Sequence, residues 1–217
     1  MTHLRPHAEV AERVLLPGDP GRALRLAQQL VDAPKMLNHN RGLWGYTGLA
    51  PDGEPLTIQS TGLGGPSTAI VVEELISLGA RRLVRLGTGA AVDGALALGS
   101  LVIAEAVQAG DGASRALGAR SPLAADAELL AALRAAGNGA VTGTVASTDL
   151  VYGAATAPAG AIAADLSTGA LFAVAARRGA RAACVLAISE AQGRRIAPEA
   201  LEAAEAELGR VGAAALG

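Results

Sequence analysis

Three arginines of this 217-residue chain stand where an anion could be held. The first ends the string Gly18-Asp19-Pro20-Gly21-Arg22, which leaves an apolar run and enters an amphipathic stretch. A glycine at such a corner lets a ligand approach the main chain closely. Backbone N–H groups at a helix start favour anions, and a guanidinium in the first turn can fork onto an oxyanion. The string lacks the Gly-Lys-Ser/Thr ending of a Walker A loop and is not GxGxxG. Its other reading is an Asx turn that only caps the helix. The second arginine, Arg85, lies in the apolar run 82–86 and precedes a glycine-rich corner, Gly87-Thr88-Gly89. Burying a guanidinium is costly unless it is paired. The partner is either an anion at the carboxyl end of the strand, where open α/β sheets bind ligands, or an internal carboxylate such as Glu73 or Glu74. The third, Arg41, falls in NHNRGLWGYTG (residues 38–48), which holds the only tryptophan and one of the two tyrosines. Scarce aromatics gathered there predict a packed hairpin or a subunit contact. Otherwise Arg41 is a solvated side chain beside a core tryptophan.

The elements that position these residues follow from patterning. Short apolar runs alternate with amphipathic helical stretches, the mark of an α/β chain. Strands are predicted over residues 13–16, 56–60, 82–86, 100–106, 140–146, 161–164 and 182–189. They are rich in Val, Ile, Leu and Ala, as expected of strands covered on both faces. Helices are predicted over 21–30, 66–78, 125–136, 167–178 and from Pro198 to near the C-terminus. The clearest is 66–78. Pro66 suits a first turn, Gly79 suits the exit, and Ile70, Val71, Leu75 and Leu78 form a helical stripe. Residues 153–160 (GAATAPAG) read as a surface loop. There is no internal repeat and no linker, so residues 1–217 read as a single domain.

Composition excludes several classes. The hydrophobic fraction is 51% and aromatics are only 2%, so the core must be built from Ala, Val, Leu and Ile. A net charge of −2 with no basic run gives no footing for nucleic acid. The single cysteine, Cys184, sits in an apolar run and reads as a core thiol, so neither a disulfide framework nor a Cys/His metal cluster is expected. The N-terminal stretch is polar and mixed in charge, unlike a signal peptide. No uninterrupted apolar stretch approaches the roughly 20 residues that span a bilayer. The expectation is a soluble cytoplasmic protein.

Six strings together resemble one family: LLPGDPGRA (15–23), NRGLWGYTG (40–48), STGLGGPSTAIVVEEL (60–75), LVRLGTGAAV (83–92), DGASRAL (111–117) and VASTDLVY (145–152). From about His3 to Glu190 the chain is similar to the nucleoside phosphorylases, the family of hexameric bacterial purine nucleoside phosphorylases and uridine phosphorylases. The resemblance implies a three-layer α/β/α domain around a mixed, partly barrel-like sheet, assembled as a hexamer of dimers. It implies reversible phosphorolysis of an N-glycosidic bond to a free base and a pentose 1-phosphate. Inorganic phosphate would be the co-substrate, with no metal or organic cofactor. By motif match, Gly18, Arg22, Arg85 and Thr88 would hold phosphate, with Arg85 also catalytic. Arg41 would be donated by the neighbouring subunit. His3, or alternatively His7, would reach the neighbour's sugar.

The nucleoside half departs from that pattern. Where the family has Glu-Met-Glu at the sugar, this chain has Asp165-Leu166-Ser167. Leu166 can replace a methionine sterically. Ser167 lacks the charge and reach of a carboxylate, and losing a charge-assisted bond costs about 1.5–3 kcal/mol. Val151, followed by Tyr152, replaces the phenylalanine that stacks on the base. The loop 153–160 contains no Gln or Arg with which to read a pyrimidine edge. Ser189-Glu190 stands where purine-specific members have Ser-Asp, which makes Glu190 the candidate acid, with Arg194 or Arg195 nearby to tune it. The readings left open are a phosphorylase acting on a purine-like or modified nucleoside, a repurposed or degenerate member that binds phosphate or a nucleotide, and a hydrolytic nucleosidase.

Overall fold

The apolar run VLLP supplies most of the first strand, β1 (Arg13–Pro17), and Asp19 stops it by capping the first helix, α1 (Pro20–Leu30). This computed structural model describes residues 2–92, 94, 96–152 and 158–217. Most of the loop predicted over 153–160 therefore lies outside the described residues. After α1 the chain runs through β2 (Asp32–Asn38), a short 3-10 turn (Asn40–Gly42), β3 (Gly45–Leu49), β4 (Pro55–Gln59) and α2 (Gly64–Ser77). Then come β5 (Arg82–Ala91), β6 (Leu101–Ala109), α3 (Gly112–Ala116), β7 (Leu123–Ala124) and α4 (Ala127–Ala136). The chain ends with β8 (Val141–Ser147), β9 (Ala163–Asp165), α5 (Thr168–Arg178), β10 (Arg181–Ala191), β11 (Arg194–Arg195) and α6 (Pro198–Leu216).

All strands join one mixed sheet, in the order β11-β10-β6-β8-β9-β5-β1-β4-β3-β2, with β7 beside β6. A further pairing of β10 with β5 closes β10, β6, β8, β9 and β5 into a ring. The sheet is thus half barrel and half open wing, as the resemblance implied. β5 makes both halves possible. It pairs with β10 along one side from Arg82 to Ala90, while on the other side β1 pairs with its first residues and β9 with its last two, Ala90 and Ala91. Two apolar clusters cover the two faces. One packs α2 and α5 against the sheet, through residues such as Leu75, Val71 and Phe172. The other packs α1, α4 and α6, through Leu26, Leu133 and Leu208. Among the described residues, no helix is long and apolar enough to cross a membrane.

The structure departs from the expected elements in several places, the two-residue strands β7 and β11 among them. β5 continues past Leu86 to Ala91, so Gly87-Thr88-Gly89 is strand and not a corner. The two glycines serve close approach there. A Cβ on Gly87 would lie 2.9 Å from Arg85 Nη2 and 2.6 Å from Leu186 Cδ2, and one on Gly89 would lie 2.8 Å from the Ala164 carbonyl oxygen. Second, Asp32–Asn38 forms a strand although it contains Pro34 and no regular alternation. It is an edge strand, where a missing N–H is tolerated. It pairs with Gly45–Leu49, so the aromatic segment does lie in a hairpin. Third, helix α3 was not expected. Asp111 caps it by accepting from the Ser114 N–H at 2.8 Å.

Cys184 is fully buried in β10, and burial pushes its thiol up to about 12. A thiol of that kind carries almost no thiolate at neutral pH. The native protein will therefore release no chromophore from a disulfide reagent at pH 8, and one equivalent will appear in denaturant. Rapid reaction of the native protein would contradict this placement.

Candidate functional site

The carboxyl ends of the parallel strands β1, β4, β5 and β10 converge on one cleft of about 650 Å³. The sequence-predicted residues Gly18, Arg22, Arg85 and Thr88 line it on one side. Leu166 and Ser167 line it as well, as do Val151, Ser189 and Glu190. These nine residues come from the ends of five strands and the starts of two helices, which is where the doubly wound arrangement places ligands.

Arg22 enters from the first turn of α1. Asp19 caps that turn by accepting from the Arg22 N–H at 2.6 Å. The Asx reading and the anion reading therefore describe the same turn. Asp19 already occupies that one backbone donor, so what the Arg22 residue offers a ligand is its side chain. The guanidinium is only 6% exposed. Its Nη2 donates to Glu205 Oε1 at 2.7 Å, and its Nη1 donates to the Leu86 carbonyl at 3.1 Å. Glu205 lies on α6, is buried, and also accepts from Arg25. Nε of Arg22 is buried without a hydrogen-bond partner.

Arg85 is likewise 6% exposed. Its Nε donates to Asp165 Oδ2 at 2.9 Å, and its Nη1 is buried without a partner. The internal carboxylate is thus Asp165, not Glu73 or Glu74. Glu73 pairs with Arg178. Glu74 accepts from the N–H groups of Thr2, His3 and Leu4 at 2.7–3.2 Å. Burial opposes the charge on Glu74, but these backbone donors hold its carboxyl below the ordinary range. The two cleft arginines therefore share one pattern. Each is anchored by a buried carboxylate, and each keeps one buried donor unpaired. A buried N–H without an acceptor costs about 1–3 kcal/mol, so both arginines hold an unmet donor.

Ser167 is the N-cap of α5, yet its side chain makes no capping bond, which leaves the hydroxyl available to a ligand. Ser189 Oγ donates to the Gly89 carbonyl at 3.3 Å. Glu190 lies 3.8 Å from Arg195, so of the two arginines considered Arg195 is its neighbour. Leu63, which the sequence reading did not single out, is 87% exposed and lines the mouth. In the structure it is the N-cap of α2, three residues before the expected helix start at Pro66.

Three predicted residues do not line this cleft. Tyr152 is 78% exposed and stands outside it. Arg41 and His3 do not line it either. Arg41 is exposed and adopts φ 60°, ψ 19°, a left-handed conformation that side chains rarely take. The Asn40 side chain donates to the His3 carbonyl at 2.8 Å, so the two segments are tied together. His7, the alternative to His3, stacks on His39 with ring centroids 5.4 Å apart.

The structure is a half-barrel α/β fold with two carboxylate-anchored arginines lining a cleft at its strand ends. The phosphorylase superfamily model matches residues 12–216. This chain belongs to that superfamily. It is 34% identical over 194 residues to a DeoD-type purine nucleoside phosphorylase of Geobacillus kaustophilus, covering 84% of this chain and 82% of that one. It is 41% identical over 108 residues to a uridine phosphorylase of Treponema pallidum, covering 50% of this chain and 41% of the relative. A uridine phosphorylase of Thermococcus kodakarensis is 38% identical over 149 residues, 66% of this chain and 53% of its own. The chain thus spans about two-fifths of the Treponema protein's length, and most of the Geobacillus protein's.

Proposed function

We propose that this chain is a nucleoside phosphorylase, which cleaves the N-glycosidic bond of a purine-like or modified nucleoside with inorganic phosphate. The observation that carries this reading is the pair of arginines, Arg22 and Arg85, each anchored by a buried carboxylate, that line one cleft. Phosphate rests against Gly18, Arg22, Arg85 and Thr88. Its oxygen bonds to the anomeric carbon as the carbon–nitrogen bond breaks. The electron pair moves to the base, which takes a proton from Glu190. Holding phosphate and sugar in line removes much of the entropic barrier, and the guanidinium groups stabilise the charge that moves. Leu166 and Ser167 floor the sugar, and Val151 and Ser189 flank the base. Inorganic phosphate is the only co-substrate in this reading. Arg41 and His3 are the residues that the family's pattern assigns to a neighbouring copy of the chain; neither lines its own cleft, and the segments that carry them are tied together. The assembly proposed is a cytoplasmic hexamer of dimers.

The test is release of free base from inosine, adenosine, their 2′-deoxy forms and uridine, with and without phosphate. Release that depends on phosphate, with pentose 1-phosphate formed in equal amount, is expected for at least one purine nucleoside. Release without phosphate would make the chain a nucleosidase. No release from any of them would overturn the phosphorylase reading and leave a binding role.

A further inference from the structure

Asp165 lines the cleft at the place where the sugar is proposed to lie, and a carboxylate there would ordinarily accept from sugar hydroxyls. Its oxygens are already taken. Oδ1 accepts from Ser147 Oγ at 2.6 Å and from the Thr168 N–H at 3.2 Å. Oδ2 accepts from Arg85 Nε at 2.9 Å, from Thr168 Oγ1 at 2.8 Å and from the same N–H at 3.1 Å. A carboxylate offers about four lone-pair sites, and here they are filled by protein. The side chain is 0% exposed. The grip is itself braced: Ser147 Oγ accepts from the Gly169 N–H at 2.8 Å, and Thr168 Oγ1 lies 3.2 Å from Cys184 Sγ. Three elements, β5, β8 and the first turn of α5, therefore meet at this one carboxylate.

The consequence falls on Arg85. Asp165 pins its Nε. The missing Cβ of Gly87 leaves a slot for the other end, with Nη2 and Cζ within about 3 Å of where that Cβ would be. The guanidinium is thus fixed at its Nε end by Asp165 and given room at the other, and Nη1 is left without a partner. We propose that Asp165 is a positioning residue of the phosphate half. It takes up no part of the nucleoside and instead sets the Arg85 guanidinium for phosphate. This rests on the phosphorylase reading. It also divides the Asp165-Leu166-Ser167 segment: the first residue serves phosphate, and the other two face the sugar.

The test is titration of inorganic phosphate into the free, full-length protein by calorimetry, together with separate KM values for phosphate and nucleoside. Wild type binds phosphate. Asp165→Asn, which keeps the shape but loses the charge and one acceptor, will bind it roughly 10- to 100-fold more weakly, as for loss of one charge-assisted bond. Its nucleoside KM will stay within about threefold of wild type, since uniform binding of the nucleoside is untouched. Ser147→Ala removes one brace, keeps the ion pair and does not line the cleft. It will raise the phosphate KM alone, by a smaller factor, and it carries the test if Asp165→Asn fails to fold by thermal denaturation. A raised nucleoside KM with unchanged phosphate binding in either variant overturns the proposal in favour of sugar binding. Unchanged phosphate binding in the folded Asp165→Asn variant overturns it alone, whereas a wild type that binds no phosphate overturns the phosphorylase reading with it.

Discussion

Replacing Arg85 with alanine will abolish phosphate-dependent turnover and lower thermal stability in the same protein. The catalytic loss follows from position. Arg85 lines the cleft, and one of its buried donors lacks a partner. Removing a preorganised donor from a developing charge costs about two to three decades in rate, and phosphate also loses a full positive charge. Initial rates of base release against phosphate concentration will show the fall. The loss of stability has a separate cause. Asp165 is 0% exposed, and without the guanidinium its charge keeps only neutral donors from Ser147 and Thr168. Breaking one side of a buried ion pair costs about 3–5 kcal/mol. Removing both sides, in Arg85→Ala/Asp165→Ala, will recover much of the melting temperature and none of the activity. That separation matters because a fall in activity alone could come from unfolding. An Arg85→Ala variant that turns over at the wild-type rate would mean that Arg85 does not meet the bound phosphate.

What could be read from the sequence depended on how local the cause was. Helix α2 was legible because Pro66, Gly79 and the apolar positions Val71 and Leu75 act within a few residues of one another, although Ile70 of the expected stripe is exposed. The turn at Gly18 was legible for the same reason, down to the role of Asp19. The extension of β5 was not. Glycine in a strand pattern reads as a break, and only the tertiary neighbours, Leu186 and the Ala164 carbonyl, show that Gly87 and Gly89 are there to make room. The anchors of the arginines were hidden by distance along the chain. Asp165 is 80 positions from Arg85 and Glu205 is 183 from Arg22. Glu205 sits in a helix with several acidic residues, and nothing in its spacing distinguishes it from the solvated ones. Its burial beneath α1 is set by the packing of α6 on that helix, through the place where Gly209 admits Leu26. The family motifs marked the arginines but carried no word of what holds them.

The placement of Arg41 leads to an experiment on two crippled proteins. Arg41→Ala alone will lose most phosphate-dependent turnover if each cleft borrows Arg41 from a second copy. Co-expressing it with the Arg85→Ala/Asp165→Ala variant will restore part of that turnover. A working cleft then needs its own Arg85 and Asp165 from one chain and Arg41 from the other. Random pairing of equal amounts in an isologous dimer makes about one quarter of the clefts complete. The double variant suits this purpose because it lacks the phosphate half, yet its surface around Arg41 and His3 is untouched and its buried charges are balanced. The Arg41 backbone, at φ 60°, must be preserved for the test to be fair, and alanine tolerates that region no better than arginine does. Arg41→Gly, which relieves the strain while removing the same charge, serves as the control. Recovery above either parent in the co-expressed mixture, and none when the purified parents are combined without exchange of subunits, will establish the shared site. A mixture that shows only the average of its parents would place Arg41 outside the chemistry, as a solvated side chain on the 3-10 turn.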